Sequence, residues 1–252
     1  MRIMTWNIHG ASLRDRDERF PLIKKAIEDT QPDIACIQEA FFPKSRKMLE
    51  SINGYYVSYQ TNWYPIPGMI KSTAGGLVTL TKGKPTEVNY YPYLTQGTWV
   101  TEQRWDRLIG KGFLETIIED KEFGRVTIIN THKVCTYTDD TDKYLESQAD
   151  QLLQRIHQQK EKGELIILAG DMNFQRQSKL YPQFKEILHD ATEGLHEFIE
   201  EVQKLHLFKY KTIDYIFTGD KYHCEPMRLY HKSWKKYPSD HPYIIVNLKR
   251  DH

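Results

Sequence analysis

Val126-Thr-Ile-Ile-Asn-Thr-His132 and, further along, Leu165-Ile-Ile-Leu-Ala-Gly-Asp171 decide the fold. Each is a short apolar run closed by polar residues, which reads as a buried strand with reactive side chains at its C-terminal end. Between them Leu145, Ala149, Leu152, Leu153 and Ile156 share one face of a helical period, so an amphipathic helix joins the strands. Strand, helix and strand in that order form a βαβ unit. An earlier stretch repeats the plan. Arg2-Ile-Met-Thr-Trp6 runs into Asn7, and Asp33-Ile-Ala-Cys-Ile37 runs into Gln38 and Glu39. Between these, Phe20, Ile23 and Ile27 mark a helix with acidic Asp15 and Asp17 near its start. Strand-like pieces at 76–80, 113–118, 213–217 and 243–248 complete a mixed α/β chain. The stretches from Thr61 to Ile70 and from Asn89 to Gly112 are long and irregular, and are expected to be loops.

The chain has 252 residues, enough for one large domain, and no linker or composition shift divides 1–252. Hydrophobic residues make up 39% and charged residues 27%, with 35 basic against 34 acidic side chains, which excludes disorder and fibrous repeats. The longest apolar run, within Glu164 to Ala169, is far short of the ~20 residues that a membrane span needs. The opening residues lack the apolar core of a signal peptide, and Cys36, Cys135 and Cys224 lack Cys-x-x-Cys spacing. A cytoplasmic, reducing location is therefore expected.

The polar residues at the strand ends are Asn7, Glu39, His132, Asp171 with Asn173, Asp214, and Asp240 with His241. Strands lying side by side bring such ends to one edge, where α/β sheets place their sites. Carboxylates gathered without cysteine suit a hard cation, Mg²⁺ or Mn²⁺, rather than zinc. Hydrolysis of a phosphate ester is the natural use of that combination.

Six motifs in order then carry a resemblance: Thr5-Trp-Asn-Ile-His-Gly10, Ile37-Gln-Glu39, Asn130-Thr-His132, Gly170-Asp-Met-Asn173, Ile213-Asp-Tyr-Ile216 and Ser239-Asp-His241. Together they resemble the endonuclease/exonuclease/phosphatase superfamily, which includes DNase I-like nucleases, neutral sphingomyelinases and inositol polyphosphate phosphatases. The resemblance implies a four-layer sandwich, two packed mixed β-sheets flanked by helices. It implies a cation held by Glu39, with Asn7 orienting and Asp240 as a secondary ligand. Asp171 matches the group that orients or deprotonates the attacking water, and Asn173 the amide that reaches the phosphate. His241 matches the histidine of proton transfer, with Asp214 fixing its tautomer. His132 matches a second histidine of the nuclease and sphingomyelinase branches, usually replaced in abasic-site endonucleases.

Lys133 follows His132 where the family often has leucine, and its charge is expected to reach a phosphate or solvent. Arg104, Arg107, Lys111 and Lys133 are the candidates for substrate binding, and Lys111-Gly-Phe-Leu114 resembles sphingomyelinase-like relatives. Residues 61–70, with Trp63, Tyr64 and Ile66, are a candidate peripheral membrane contact or pocket wall, while the basic runs 204–211 and 232–236 are candidates for nucleic acid. The expected partner is a phosphate-ester substrate, a nucleic acid or a phospholipid headgroup, with no stable protein partner. An inositol-phosphate phosphatase and a non-catalytic phosphate-binding scaffold are the alternatives. Gly83-Lys84 lacks the spacing of a Walker A loop, and His196-Glu197 lacks the second histidine of a zinc-protease helix.

Overall fold

Successive side chains of a strand point to opposite faces, so an unbroken apolar strand must be covered on both sides. In the computed structural model of the chain this is how the layers arise. It describes residues 1–10, 16–62, 72–97, 110–135, 143–193, 195, 213–219, 222–227 and 238–250. Ile3, Ile34 and Cys36 face Ile128, Leu165, Ile167 and Ile216 in a core between two sheets. Their neighbours Met4, Ala35 and Ile37 turn outward to Phe20, Ile23 and Ile27 of a helix. On the other sheet Ile129, Ile166 and Leu168 turn outward to Leu145, Ala149, Leu152 and Ile156 of a second helix. Helix, sheet, sheet and helix follow in that order, which is the four-layer sandwich expected.

The first sheet contains β1 (Arg2–Asn7), β2 (Ile34–Gln38), β3 (Tyr56–Ser58), β6 (Val78–Thr81), β13 (Tyr222–Met227) and β14 (Ile244–Arg250), in the order β13-β14-β1-β2-β6-β3. The second contains β7 (Pro85–Pro92), β8 (Gly112–Asp120), β9 (Gly124–His132), β10 (Leu165–Asp171), β11 (His189–Asp190) and β12 (Asp214–Thr218), in the order β11-β12-β10-β9-β8-β7. A small ribbon pairs β4 (Thr61–Asn62) with β5 (Ser72–Thr73). Helices α1 (Arg16–Thr30) and α2 (Pro43–Glu50) cover the first sheet, and α3 (Lys143–Lys160) and α4 (Tyr181–Ile187) the second. Both βαβ units are present, since β1 pairs parallel with β2 and β9 parallel with β10.

One expectation needs correction. The stretch from Asn89 is not loop throughout, because Pro85–Pro92 forms β7, paired antiparallel with β8. As an edge strand with largely exposed or half-buried residues, β7 lacks the apolar run that marks its neighbours. Residues 63–71 and 98–109 lie outside the described residues. No helix among the described residues is long and apolar enough to cross a membrane.

Candidate active site

Register decides which strand ends meet. Asn7 lies opposite Gln38 in the first sheet, and His132 opposite Asp171 opposite Asp214 across three strands of the second. The sheets are pinned at this edge by a buried polar link. Gln38 Nε2 donates to Asn130 Oδ1 at 2.8 Å, and Asn130 Nδ2 donates to the carbonyls of Ile37 and Val78. Gln38 and Asn130 belong to the quoted motifs, and their place in the fold is structural: each satisfies groups that would otherwise be buried without partners.

Beyond that link the reactive groups converge. Asn7, 1% exposed, donates through Nδ2 to Glu39 Oε1 at 3.2 Å and to Asp171 Oδ2 at 3.1 Å. Its Oδ1 accepts the His9 N–H at 3.0 Å, which settles the end of the amide that faces the carboxylates. Asp171 Oδ2 also lies 3.5 Å from His132 Nε2 and 3.9 Å from His241 Nε2. His241 Nδ1 is 2.8 Å from Asp214 Oδ2, the carboxylate partnership that the resemblance implied. Asn173 closes a turn, donating its backbone N–H to Asp171 Oδ1 and its Nδ2 to the Lys133 carbonyl.

The backbone is bent to achieve this. His9, Glu39 and Asn173 have φ of 49°, 62° and 53°, in the left-handed region where a non-glycine residue costs about 1–2 kcal/mol. Gly10 permits the Glu39 bend, since a Cβ there would lie 2.0 Å from the Glu39 carbonyl oxygen.

Sequence reasoning missed the groups that hold the 238–243 segment against β1. Buried Arg19 of α1 donates to the carbonyls of Ile8, His9 and Pro238. Ser239 Oγ donates to the Asn7 carbonyl at 2.6 Å, and Trp6 Nε1 to that of His241 at 3.0 Å. A signal for Arg19 existed: it falls in phase with Ile23 and Ile27 on the helix face that is otherwise apolar. His9 pairs with Asp240 at the rim, Nδ1 to Oδ2 at 3.1 Å, with both side chains well exposed.

Lys111 reaches the cluster, with Nζ 2.7 Å from His132 Nε2. Lys133 does not, and that expectation is corrected. Its side chain is fully buried, with Nζ over the Phe174 ring at 4.7 Å and the Phe184 ring at 5.5 Å, and no hydrogen-bond partner among the described residues. Lys133 lies on the α3 and α4 side of the second sheet, so its ammonium reaches neither a phosphate in the cleft nor solvent. Arg104, Arg107 and most of the 61–70 stretch lie outside the described residues, as do 204–211 and 232–236.

Burial, then the neighbouring Asp214, pushes the Asp171 carboxyl up to about 6, which makes it a proton acceptor near neutral pH. Burial also raises Asp214, against the pull of His241. For His241 burial opposes the charge, but Asp214, supported by Asp171 and Asp240, drives the ring up to about 10. His132 goes the other way: burial, then Lys111 and His241, holds it well below the ordinary imidazole range. The site therefore pairs a charged histidine with a neutral one.

Asp171, Asp214 and His241 offer ligand atoms within 4.8 Å of one another, although His241 and Asp214 are already bonded to each other. The donor set fits a divalent cation. Carboxylates raised by burial and mutual repulsion are relieved by one, and the oxygens of Glu39 and Asp240 suit a hard ion, while Asn7, which turns Nδ2 to Glu39 and Asp171, orients those carboxylates.

Comparison with known proteins follows this geometry. A model of the Endonuclease/Exonuclease/phosphatase family matches residues 4–241. The chain belongs to that family. Among structures of the same fold, the human Nocturnin catalytic domain, solved with a bound sulfate anion, is 19% identical, with 100% of this chain and 94% of that one covered at a TM-score of 0.72. SmcL is 18% identical over 99% of each chain, TM-score 0.71. Sphingomyelinase C from Streptomyces griseocarneus is 15% identical over 98% of each chain, TM-score 0.67. These likenesses establish the fold. No curated protein sequence matches the chain. Family membership and fold agree with the resemblance read from the six motifs.

Proposed function

We propose that this member of the Endonuclease/Exonuclease/phosphatase family is a Mg²⁺-dependent phosphodiesterase, acting on a nucleic acid or a phospholipid headgroup by in-line attack of water. One observation carries the reading: a raised carboxyl, Asp171, shares a buried cluster with a charged His241–Asp214 pair. That is a proton acceptor beside a proton donor, the division that hydrolysis of an ester requires.

Asp171 Oδ1 is held by the Asn173 N–H and Oδ2 by Asn7, so the carboxylate is fixed in orientation before water arrives. It takes the proton of the attacking water. His241, held through Nδ1 by Asp214, presents Nε2 as the donor that neutralises charge developing on the phosphate. Glu39, oriented by Asn7, and Asp240 would hold Mg²⁺ or Mn²⁺, which when bound supplies charge neutralisation and polarises the phosphate oxygens. Asn173 completes the phosphate-facing side.

Turnover of bis-p-nitrophenyl phosphate with Mg²⁺ and its loss in EDTA tests the reading. Silence on this diester, on DNA, on sphingomyelin vesicles and on inositol polyphosphates would instead favour a phosphate-binding scaffold. The panel also separates the substrate classes.

A further inference from the structure

An ammonium carries three hydrogen-bond donors and no acceptor, so a ring nitrogen facing one must present its lone pair. Lys111 Nζ and His132 Nε2 are 2.7 Å apart, and both residues are buried, at 2% and 4% exposure. Nε2 is therefore the acceptor and the proton of the neutral ring sits on Nδ1. The competing arrangement, Nε2–H donating to Asp171 Oδ2, has a separation of 3.5 Å and would aim a proton at the ammonium.

Lys111 is held in place from both sides. Its N–H donates to Gln96 Oε1 at 2.9 Å, and its carbonyl accepts from Gln96 Nε2 at 2.8 Å and from the Tyr93 N–H at 3.0 Å. The next residue, Gly112, is the register partner of His132 across the β8–β9 ladder. Lysine and histidine are thus brought together by regular strand pairing rather than by a chance loop contact. The ammonium acts on the catalytic carboxylate as well, since Lys111 is among the charges that draw Asp171 down against its burial.

We propose that Lys111 presents the cationic donor to the substrate phosphate on this side of the site, and that His132 is a positioning residue which orients the ammonium through Nε2. This rests on the phosphodiesterase reading above and gives a part to His132, which the resemblance only matched to a second histidine. His132 accepts; it does not donate to the phosphate through Nε2.

The test reads the ring directly. In protein labelled with ¹⁵N-histidine and kept free of divalent cations, two-bond ¹H–¹⁵N correlation should show one ring protonated at Nδ1 alone, absent from His132→Gln. In Lys111→Met that ring should lose its fixed tautomer. On bis-p-nitrophenyl phosphate with Mg²⁺, Lys111→Met and His132→Leu should each lower kcat by about 10²-fold or more, whereas His132→Gln, which keeps an acceptor, should stay within about tenfold of wild type. A His132 ring protonated at Nε2, or doubly protonated, overturns the inference, as does His132→Gln falling as low as His132→Leu. A wild-type protein that turns over no diester sinks the phosphodiesterase reading and leaves the ring spectrum to decide this one.

Discussion

One side-chain amide, that of Asn7, bonds a carboxylate at the edge of each sheet, and the Asp171 carboxylate it holds carries most of the proposed chemistry. Asp171→Asn should lower kcat by about 10³-fold or more, because the water loses its base. The same substitution has an opposite effect on stability. A carboxyl raised from 3.8 to about 6 binds its proton more tightly in the folded state than in the unfolded, so stability of the cation-free protein falls as pH rises through that window. The variant lacks this loss, and its melting temperature in EDTA should gain on wild type between pH 4 and 7; a constant difference would show that Asp171 is not raised. For His241 the sign differs. Its raised ring contributes stability that is present below its ordinary value and lost as pH climbs towards about 10.

Lys133 gives a separate prediction at the same scale. Burial lowers its ammonium to about 7, so the unfolded chain holds a proton that the folded one releases, and stability rises with pH from about 7 towards 10. Lys133→Met should flatten that rise and stabilise the protein at pH 7 or below by about 2–4 kcal/mol, by removing a charge from an apolar site. Diester turnover should be retained. Lost activity with unchanged stability would return Lys133 to the cleft. The sequence showed where Lys133 stood but not which way it pointed, since a long basic side chain after a strand end is compatible with the cleft or the core.

Among the elements, strands β1, β2, β9 and β10 and helices α1 and α3 were legible because burial on both strand faces, or on one helix face, leaves an apolar signature. Strands β7 and β13 were not. Exposed edge residues hide the first, and the second is an edge strand whose short run contains Pro226, a residue that argues against a strand when read from sequence. The site's charged groups were legible one by one at the strand ends, and the Asp214–His241 pair by resemblance, but the supporting links were not, because Arg19 reaches Pro238 and Gln38 reaches Asn130 across long stretches of chain. The Gln38–Asn130 link predicts a coupling: Asn130→Leu should cost about 2–4 kcal/mol, since it removes a buried acceptor of Gln38 Nε2 and the Nδ2 donor to the Ile37 and Val78 carbonyls. Gln38→Leu together with Asn130→Leu should cost less than the sum of the two singly. Additive losses in a denaturation cycle would mean that the link does not join the sheets energetically.

For the molecule as a whole, several carboxylates gathered at one edge make an open account of electrostatics that a cation should close. Added Mg²⁺ should raise the melting temperature in a concentration-dependent way, and Glu39→Gln should move that dependence to higher concentration. An identical titration in the variant would place the ion away from Glu39.

The same edge has a consequence for how the chain matures. Asn7 ends β1 and Glu39 follows β2 in the first sheet, Asp171 ends β10 and Asp214 opens β12 in the second, and β14, which lies between β13 and β1, is the last strand in chain order. A chain still being synthesised can own every reactive residue up to Asp214 and still lack the His241 that completes the cluster. On the proposed reading, a chain that has not yet reached His241 lacks the donor half of the cluster, and hydrolysis of phosphate esters would wait for the 238–243 segment to dock against β1.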